Sequence, residues 1–219
     1  MADIEKPVEF SPNTKALINT IEIGDGFNHE NWGLPEYSEV RKEARDHYRS
    51  EQQGKCAFCK EPVSIRSASN CQVEHIVPKS LHKEFIFTEK NLCVICADCN
   101  EIKREQETLN KIENTLKKPD KVKLYPRSSG AFKIVHPHFD IYNNHILIVN
   151  GLYVDKGSKK GNFTIGACNL NRRLAAFGWE QEIVDDSELL DDMNEYINET
   201  NQLKRTKRLN KIKSQLFNI

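Results

Sequence analysis

The chain has 219 residues, 38% of them hydrophobic and 29% charged, and its 32 basic and 32 acidic residues give a formal net charge of zero. That length suits one large domain or two small ones, and that composition excludes a disordered chain. No apolar run approaches the ~20 residues of a membrane span, and the opening MADIEKPVEF lacks the basic-then-apolar pattern of a secretory signal. Seven cysteines in such a chain point to a reducing compartment.

Met1 to about Asn31 reads as an irregular entry spaced by Pro7 and Pro12. The spacing of Val40, Ala44, His47 and Tyr48 predicts a helix from Tyr37 to Gln53, ended by Gly54 and packed by one face on the cysteine-rich stretch after it. That stretch, Cys56 to Lys103, is the most informative: CAFC at Cys56–Cys59, VEHIVPKS at Val73–Ser80 and NLCVICADCNEIK at Asn91–Lys103. Short Cys-x-x-Cys spacings are those of a tetrahedral zinc knuckle, and two such pairs supply four thiolates. Cys56 and Cys59 form the first pair; Cys93-x-x-Cys96 and Cys96-x-x-Cys99 both have the spacing for the second. An extended segment should carry Cys71–His75, Leu81–Lys90 reads as a loop or short helix with Phe85 and Phe87 as packing residues, and a polar helix is predicted from about Asn100 to Lys118, halted by Pro119. The order is strand, strand, helix around a metal.

In the second half, Val122–Tyr125 reads as a strand, and His145–Val149 and Leu152–Asp155 flank Asn150-Gly151, a hairpin turn that accepts positive φ. The His136-Pro137-His138-Phe139-Asp140 run with His145 invites a second metal site, but its spacing matches no ligand pattern, and polar side chains holding a Pro turn account for it better. Gly161 to Arg172 leads into a short helix ending near Gly178. Ser187 to Phe217 is helical by pattern, with a break near Thr200–Asn201. Its apolar stripe of Leu189, Leu190, Met193, Tyr196, Ile197, Leu203, Leu209, Ile212 and Leu216 is expected to pack on its own domain, with a partner groove as the sharper alternative.

Charge is polarised. Lys103–Lys133 holds nine basic and four acidic residues, Lys204–Lys213 six basic and no acidic ones, and Glu180–Glu199 nine acidic and no basic ones. A nucleic-acid-binding protein presents such basic stretches, although a charge run is commonly only a solvated face.

Between the cysteine pairs stand Glu74-His75 before Pro78, then Asn91, then Asn100 directly after Cys99. This resembles the HNH, or ββα-metal, nuclease family: an acidic residue and His before a Pro-containing turn, a central Asn, and a final His or Asn on the helix. The acidic position is Glu74, where many members carry Asp. The resemblance places Asn after the second zinc ligand of the last pair, which selects Cys96 and Cys99 over Cys93. It implies His75 as general base, with Asn91 orienting the loop that carries it. It also implies Glu74 and Asn100 as holders of a catalytic Mg2+ or Mn2+, beside a structural Zn2+ on Cys56, Cys59, Cys96 and Cys99. Lys79 and Lys103 are candidates for flanking phosphates.

The combination VEHIVPKS, NL…CxxCN, HPHFDIYNNHI and GNFTIGACNLNR is similar to the PtuB-like HNH proteins, which implies a nuclease partner of an ABC/SMC-type (PtuA-like) ATPase in Septu-type or retron-linked antiphage systems, acting on DNA or RNA. The expected fold class is α+β: a zinc-stapled ββα-metal core at 55–118, an N-terminal extension and packing helix at 1–54, and an α+β region at 119–219 that ends in an amphipathic helix and is a candidate partner surface. A non-catalytic zinc-containing binding or regulatory subunit is the alternative.

Overall fold

The computed structural model describes residues 2–21, 26–178 and 187–217. The entry expected to be irregular contains a helix, α1 (Pro12–Asn19). Pro12 occupies its first turn, and the Ser11 hydroxyl accepts from the Thr14 N–H at 3.3 Å. A Ser before Pro is a start signal, because the cap satisfies an orphan donor and Pro has none to lose. Ser11 and Thr14 both donate to Glu43 of the next helix, α2 (Ser38–Glu51), which fixes α1 against it.

Helix α2 buries Val40, Ala44 and Tyr48, which fall one turn apart on one face. The buried Tyr48 hydroxyl accepts from the Val8 N–H at 3.1 Å and donates to the Glu89 carbonyl at 2.6 Å, so its burial leaves no polar group unpaired. Gln53 and Gly54 end the helix with φ of 53° and 68°. Gln52, at the cap, then pairs through its side-chain amide with both the N–H and the carbonyl of Val94, docking α2 on the central hairpin.

That hairpin is β1 (Gln72–His75) and β2 (Leu92–Ile95), antiparallel in the register Val73–Val94, Glu74–Cys93 and His75–Leu92. Helix α3 (Ala97–Thr108) comes directly after it. The strand, strand, helix order is therefore present, and the molecule is a mixed α+β protein with this unit at its centre. Two boundaries differ from expectation. Helix α3 starts at Ala97, with Cys96 as its cap, so Asn100 lies within the first turns rather than opening the helix. It also stops at Thr108, not Lys118: Asn110 turns left-handed at φ 55°, and the Lys111 N–H reaches back to the Gln106 carbonyl at 2.7 Å, a chain reversal that terminates helices whatever the propensity beyond. Val122–Tyr125 is not a strand. It lies between a 3-10 turn at Pro119–Lys121 and Pro126, pairs with no strand among the described residues, and leaves Leu124 79% exposed.

The second hairpin is β3 (Ile146–Val149) and β4 (Leu152–Asp155), turned by Asn150 and Gly151 at φ 46° and 81° as the Asn-Gly step predicts. Helix α4 (Lys159–Ala167) packs on β4, and α5 (Arg172–Phe177) succeeds it. At the α4–hairpin contact, a Cβ on Gly161 would sit 2.1 Å from the His145 carbonyl oxygen and 3.2 Å from the Asp155 Cβ. Gly161→Ala is therefore expected to destabilise the fold by about 2–3 kcal/mol, the scale of overpacking in a close contact. An unchanged urea midpoint would contradict this.

One hydrophobic core runs from Ile4 and Tyr48 through Phe58, Ile76 and Leu92 to Phe132 and Leu170, drawing on all thirds of the chain. A smaller second core of Leu152, Val154, Leu174, Met193 and Ile212 receives the terminal hairpin of α6 (Ser187–Asn198) and α7 (Gln202–Phe217). The break between them is where the sequence placed it, with the Asn201 side chain accepting from the Leu203 and Lys204 N–H groups. Met193 and Ile212 of the apolar stripe are buried against the chain's own strands, whereas Leu203 is 77% exposed; the side chains of Leu190 and Leu216 and residues Glu180–Asp186 lie outside the described residues. The acidic and basic runs meet here. Arg208 pairs with Glu195 and Glu199, Lys211 with Asp192 at 2.7 Å, and Lys213 with Asp155 of β4. Among the described residues, part of the polarisation seen in sequence is thus neutralised between these two helices.

The His136–Asp140 run forms a buried hydrogen-bonded turn. A backbone N–H can only donate, so His136 Nδ1, which faces the His138 N–H at 3.2 Å, is unprotonated, and the ring proton sits on Nε2 toward the Tyr125 hydroxyl at 2.8 Å. His138 Nε2 donates to the Leu92 carbonyl at 2.9 Å. Asp140 accepts from the His136 N–H and pairs with Lys160. Burial pushes both histidines below the usual imidazole range, His138 to about 4. Above an unfolded pKa near ~6.5 both states are neutral; as pH falls toward 4 the unfolded chain takes up protons that the folded chain refuses. Stability should therefore decline below about pH 6.5 by roughly 1.4 kcal/mol per pH unit per histidine. His138→Gln should flatten that slope by one histidine's share in urea titrations of zinc-loaded protein, and an unaltered slope would exclude His138 as a contributor.

Candidate active site

The first knuckle is a tight turn. The Cys56 N–H bonds to the Glu61 carbonyl at 2.9 Å, the Lys60 N–H bonds to the Cys56 carbonyl at 3.1 Å, and Lys60 takes φ 62°. The second knuckle is the cap and first turn of α3, where Cys96 and Cys99 lie three residues apart and so on one face. The four buried sulfurs of Cys56, Cys59, Cys96 and Cys99 come within 4.8 Å of one another, and Cys59 and Cys96 are 3.6 Å apart. A tetrahedral zinc with bonds of about 2.3 Å requires sulfurs roughly 3.8 Å apart. Crowded in this way the thiols compete for charge. Hydrogen bonds from Cys56, Cys59 and Cys99 hold Cys96 far below the usual thiol range, while contacts with Cys56 and Cys96 push Cys59 above it and contacts with Cys56, Cys59 and Cys96 do the same to Cys99. A divalent soft-ligand cation resolves that conflict by accepting all four as thiolates, so the donor set fits zinc. Cys93, the alternative from spacing, lies on β2 opposite Glu74, and neither it nor Cys71 or Cys168 joins the cluster.

Groups far along the chain hold this centre. The Tyr142 hydroxyl donates to the Phe58 carbonyl at 2.7 Å and the Tyr153 hydroxyl to the Cys59 carbonyl. Arg172 lies 4.0 Å from the Cys96 sulfur and 3.5 Å from Asp98. Burial works against its charge, but the Cys99 and Cys59 sulfurs outweigh burial and raise its pKa. No sequence spacing marks these three residues as part of a metal centre.

A cleft of about 540 Å³ opens beside the hairpin, lined among others by Glu74, His75, Asn100 and Lys103. Strand alternation would send Glu74 and His75 to opposite faces, but His75 is the last residue of β1, and the chain turns at Pro78, so both reach the cleft. His75 Nε2 lies 3.0 Å from the Ile86 carbonyl, which can only accept, so the ring proton resides on Nε2 and Nδ1 carries the lone pair. The Trp32 ring meets the imidazole edge to face at 4.7 Å. Burial, then the Lys79 charge, push the His75 pKa down to about 3, against the pull of the Ile86 carbonyl, so the ring is neutral throughout the physiological range.

Asn91 is fully buried. Its Oδ1 accepts from the Val77 N–H at 2.7 Å and its Nδ2 donates to the Val77 and Phe85 carbonyls, while its own carbonyl accepts from the Ile76 N–H. It thus stitches both ends of the segment beyond His75. Asn100, Lys103, Arg104 and Glu107 form one stripe of α3 along the cleft. The Asn100 side chain has no hydrogen-bond partner among the described residues. Lys103 is buried, forms a close ion pair with Glu74 and lies 3.4 Å from the His75 carbonyl. Burial works against the Lys103 charge, but the Glu74 carboxylate beside it outweighs burial and holds its pKa up. Lys79 is 3.9 Å from Glu107, whose other oxygen accepts from Ser80. A carboxylate and a partnerless amide at one cleft are hard oxygen donors of the kind that a small divalent cation takes, with Lys103 already sharing the carboxylate. The His136–His145 run does not gather three ligands at one point: among the described residues the four-cysteine cluster is the one group of three or more His, Cys, Asp or Glu side chains close enough to share an ion.

Residues 56–106 match the family model of the HNH endonucleases. That span takes in all four clustered cysteines together with Glu74, His75, Asn91 and Asn100, so the part of the chain similar to the HNH endonucleases is the part that holds the four-cysteine centre and one side of the cleft. No curated protein matches the sequence. Among the described residues no helix is long and apolar enough to cross a membrane.

Proposed function

We propose that the protein is a metal-dependent endonuclease that hydrolyses phosphodiester bonds, in DNA first and in RNA as the second candidate. The observation that carries this reading is the fixed tautomer of His75, with Nδ1 unprotonated, at a cleft that Glu74 and Asn100 also line. Hydrolysis needs a base to take a proton from water, and a neutral imidazole held by its other nitrogen is ready to accept one at Nδ1. The incoming phosphate, being negative, would raise the basicity of the buried ring toward its task. Glu74 and Asn100 would hold Mg2+ or Mn2+ through oxygen. When bound, such an ion supplies charge stabilisation to the phosphate and leaving oxygen. Asn91 keeps the His75 segment in place, and Lys79 stands at the cleft for a flanking phosphate.

The four-cysteine centre is read as structural zinc, and 55–118 as the nuclease core between a packing extension at 1–54 and a region at 119–219 open to a partner. The similarity of HPHFDIYNNHI and GNFTIGACNLNR to PtuB-like proteins supports a cytoplasmic antiphage effector gated by an ABC/SMC-type ATPase. A zinc-containing binding subunit is the second reading, favoured only by the ion pair that already occupies Glu74.

The test is cleavage of plasmid DNA and total RNA with magnesium or manganese, by wild type and His75→Ala, alone and with an ABC/SMC-type ATPase partner. Cleavage that His75→Ala abolishes supports the enzyme and identifies the polymer, and cleavage only with the ATPase supports gating. Equal inertness of both proteins in every condition, with equal nucleic-acid binding, would favour the binding subunit.

A further inference from the structure

Resting on the nuclease reading, we propose that Arg41 and Arg45 of α2 form a phosphate clamp that seats the nucleic-acid backbone against the His75 cleft. Both residues precede the stretch that matches the HNH family, yet both line the cleft that holds Glu74, His75 and Asn100. They lie one helical turn apart on the same face. Like charges at that spacing repel, and burial of Arg41 together with the Arg45 charge lowers the Arg41 pKa. Proteins ordinarily relieve such a pair with a carboxylate, and α2 has four within reach of its faces. All four are engaged elsewhere: Glu39 with Lys42 at 3.1 Å, Asp46 with Arg49 at 3.4 Å, Glu43 with Ser11 and Thr14, and Glu51 with the Glu5 and Lys6 N–H groups. Among the described residues neither Arg41 nor Arg45 has an ion-pair partner. Glu30, exposed, borders the same cleft and forms no ion pair with them.

Both guanidinium groups are nevertheless held in place. Arg41 Nη1 donates to the Trp32 and Leu34 carbonyls, and Arg45 Nε donates to the Cys71 carbonyl at 3.0 Å, just ahead of β1. These anchors are neutral acceptors, so they orient the forks without neutralising them and leave the remaining N–H groups for a ligand. An unrelieved pair of fixed forks matches the bidentate geometry of a phosphate oxygen pair. The same stretch places Trp32 on His75, so the clamp and the base share one support.

The test is equilibrium binding, by fluorescence anisotropy, of the full chain carrying His75→Ala to a labelled duplex DNA of about 20 base pairs and to its RNA counterpart, at roughly 50–200 mM salt, where counterion release governs affinity. Each lost phosphate contact on duplex DNA should lower the slope of log K against log salt by about 0.9, so adding R41Q and R45Q should lower it by about 2, equally for unrelated sequences. Because Arg41 also anchors the Trp32–Leu34 backbone, Arg45→Gln alone is the second variant, expected to lower the slope by about 1. Arg45→Lys should keep the slope and lose affinity, since it retains the charge but not the fork. A folded Arg45→Gln protein with the parent's slope and affinity would overturn the clamp and leave the nuclease reading standing. Failure of the parent to bind either polymer, both alone and with the ATPase partner, would overturn both.

Discussion

Cys99→Ser and Cys59→Ser are expected to lose zinc and cooperative folding together. Structural zinc binding is worth about 10–16 kcal/mol in small zinc modules at neutral pH, while a whole domain is stable by only about 5–15 kcal/mol. Here the two knuckles staple the turn after α2 to the start of α3, and the same sulfurs are buried in the main core. Without the ion, three crowded thiols and the guanidinium of Arg172 beside them would remain with their charges unreconciled. Cys93→Ala is the control. Cys93 is equally buried but outside the cluster, so its loss should cost about 1–2 kcal/mol of packing and leave one zinc per chain. Metal analysis and thermal melting check both. A Cys99→Ser protein that melts like wild type with its zinc retained would remove the centre from the account.

His75→Ala should behave in the opposite way, keeping zinc and fold while losing cleavage by about 10²–10⁴-fold, the usual contribution of a positioned base. The truncation leaves the Ile86 carbonyl without its donor and Trp32 without its edge contact, a cost of about 1–3 kcal/mol that a zinc-stapled core can absorb. The contrast between the two variants is informative, because a residue that serves only packing would lower the melting temperature and leave the rate per folded molecule unchanged. Cleavage by folded His75→Ala at the wild-type rate would assign the base elsewhere.

The features legible in the sequence are those that rest on local spacing. Cys-x-x-Cys fixes two ligands on one turn, Asn-Gly fixes a hairpin, and the buried positions of α2 follow a 3.6-residue period. Spacing alone leaves Cys93 and Cys96 ambiguous, because that choice depends on where β2 ends and α3 begins. The end of α3 departs from expectation because the sequence past Thr108, with Leu109, Leu116 and three Lys before Pro119, reads as helix, while the left-handed turn at Asn110 that stops it carries only a weak signature. Val122–Tyr125 has a strand's residues but no strand beside it. The helix at Pro12–Asn19 does have a local start signal in Ser11-Pro12, but it is short and Pro12 reads as readily as a spacer. Trp32, Arg41, Arg45, Tyr142, Tyr153 and Arg172 lie beyond any local rule, since each reaches the site from tens of residues away along the chain.

The two tyrosines that donate to the Phe58 and Cys59 carbonyls come from the far half of the chain, 84 and 94 positions downstream. For anyone building chimeras, this sets where the chain can be cut. A graft of residues 56–106 would carry every candidate chemical group and leave behind the hydroxyls that shape the first knuckle, the Arg172 guanidinium beside the second, and the helix that bears Arg41 and Arg45. A transplantable unit would have to begin ahead of Trp32 and extend past Arg172, most of the molecule. Swapping specificity between such proteins is then better attempted by exchanging surface side chains around a retained frame than by exchanging the motif itself.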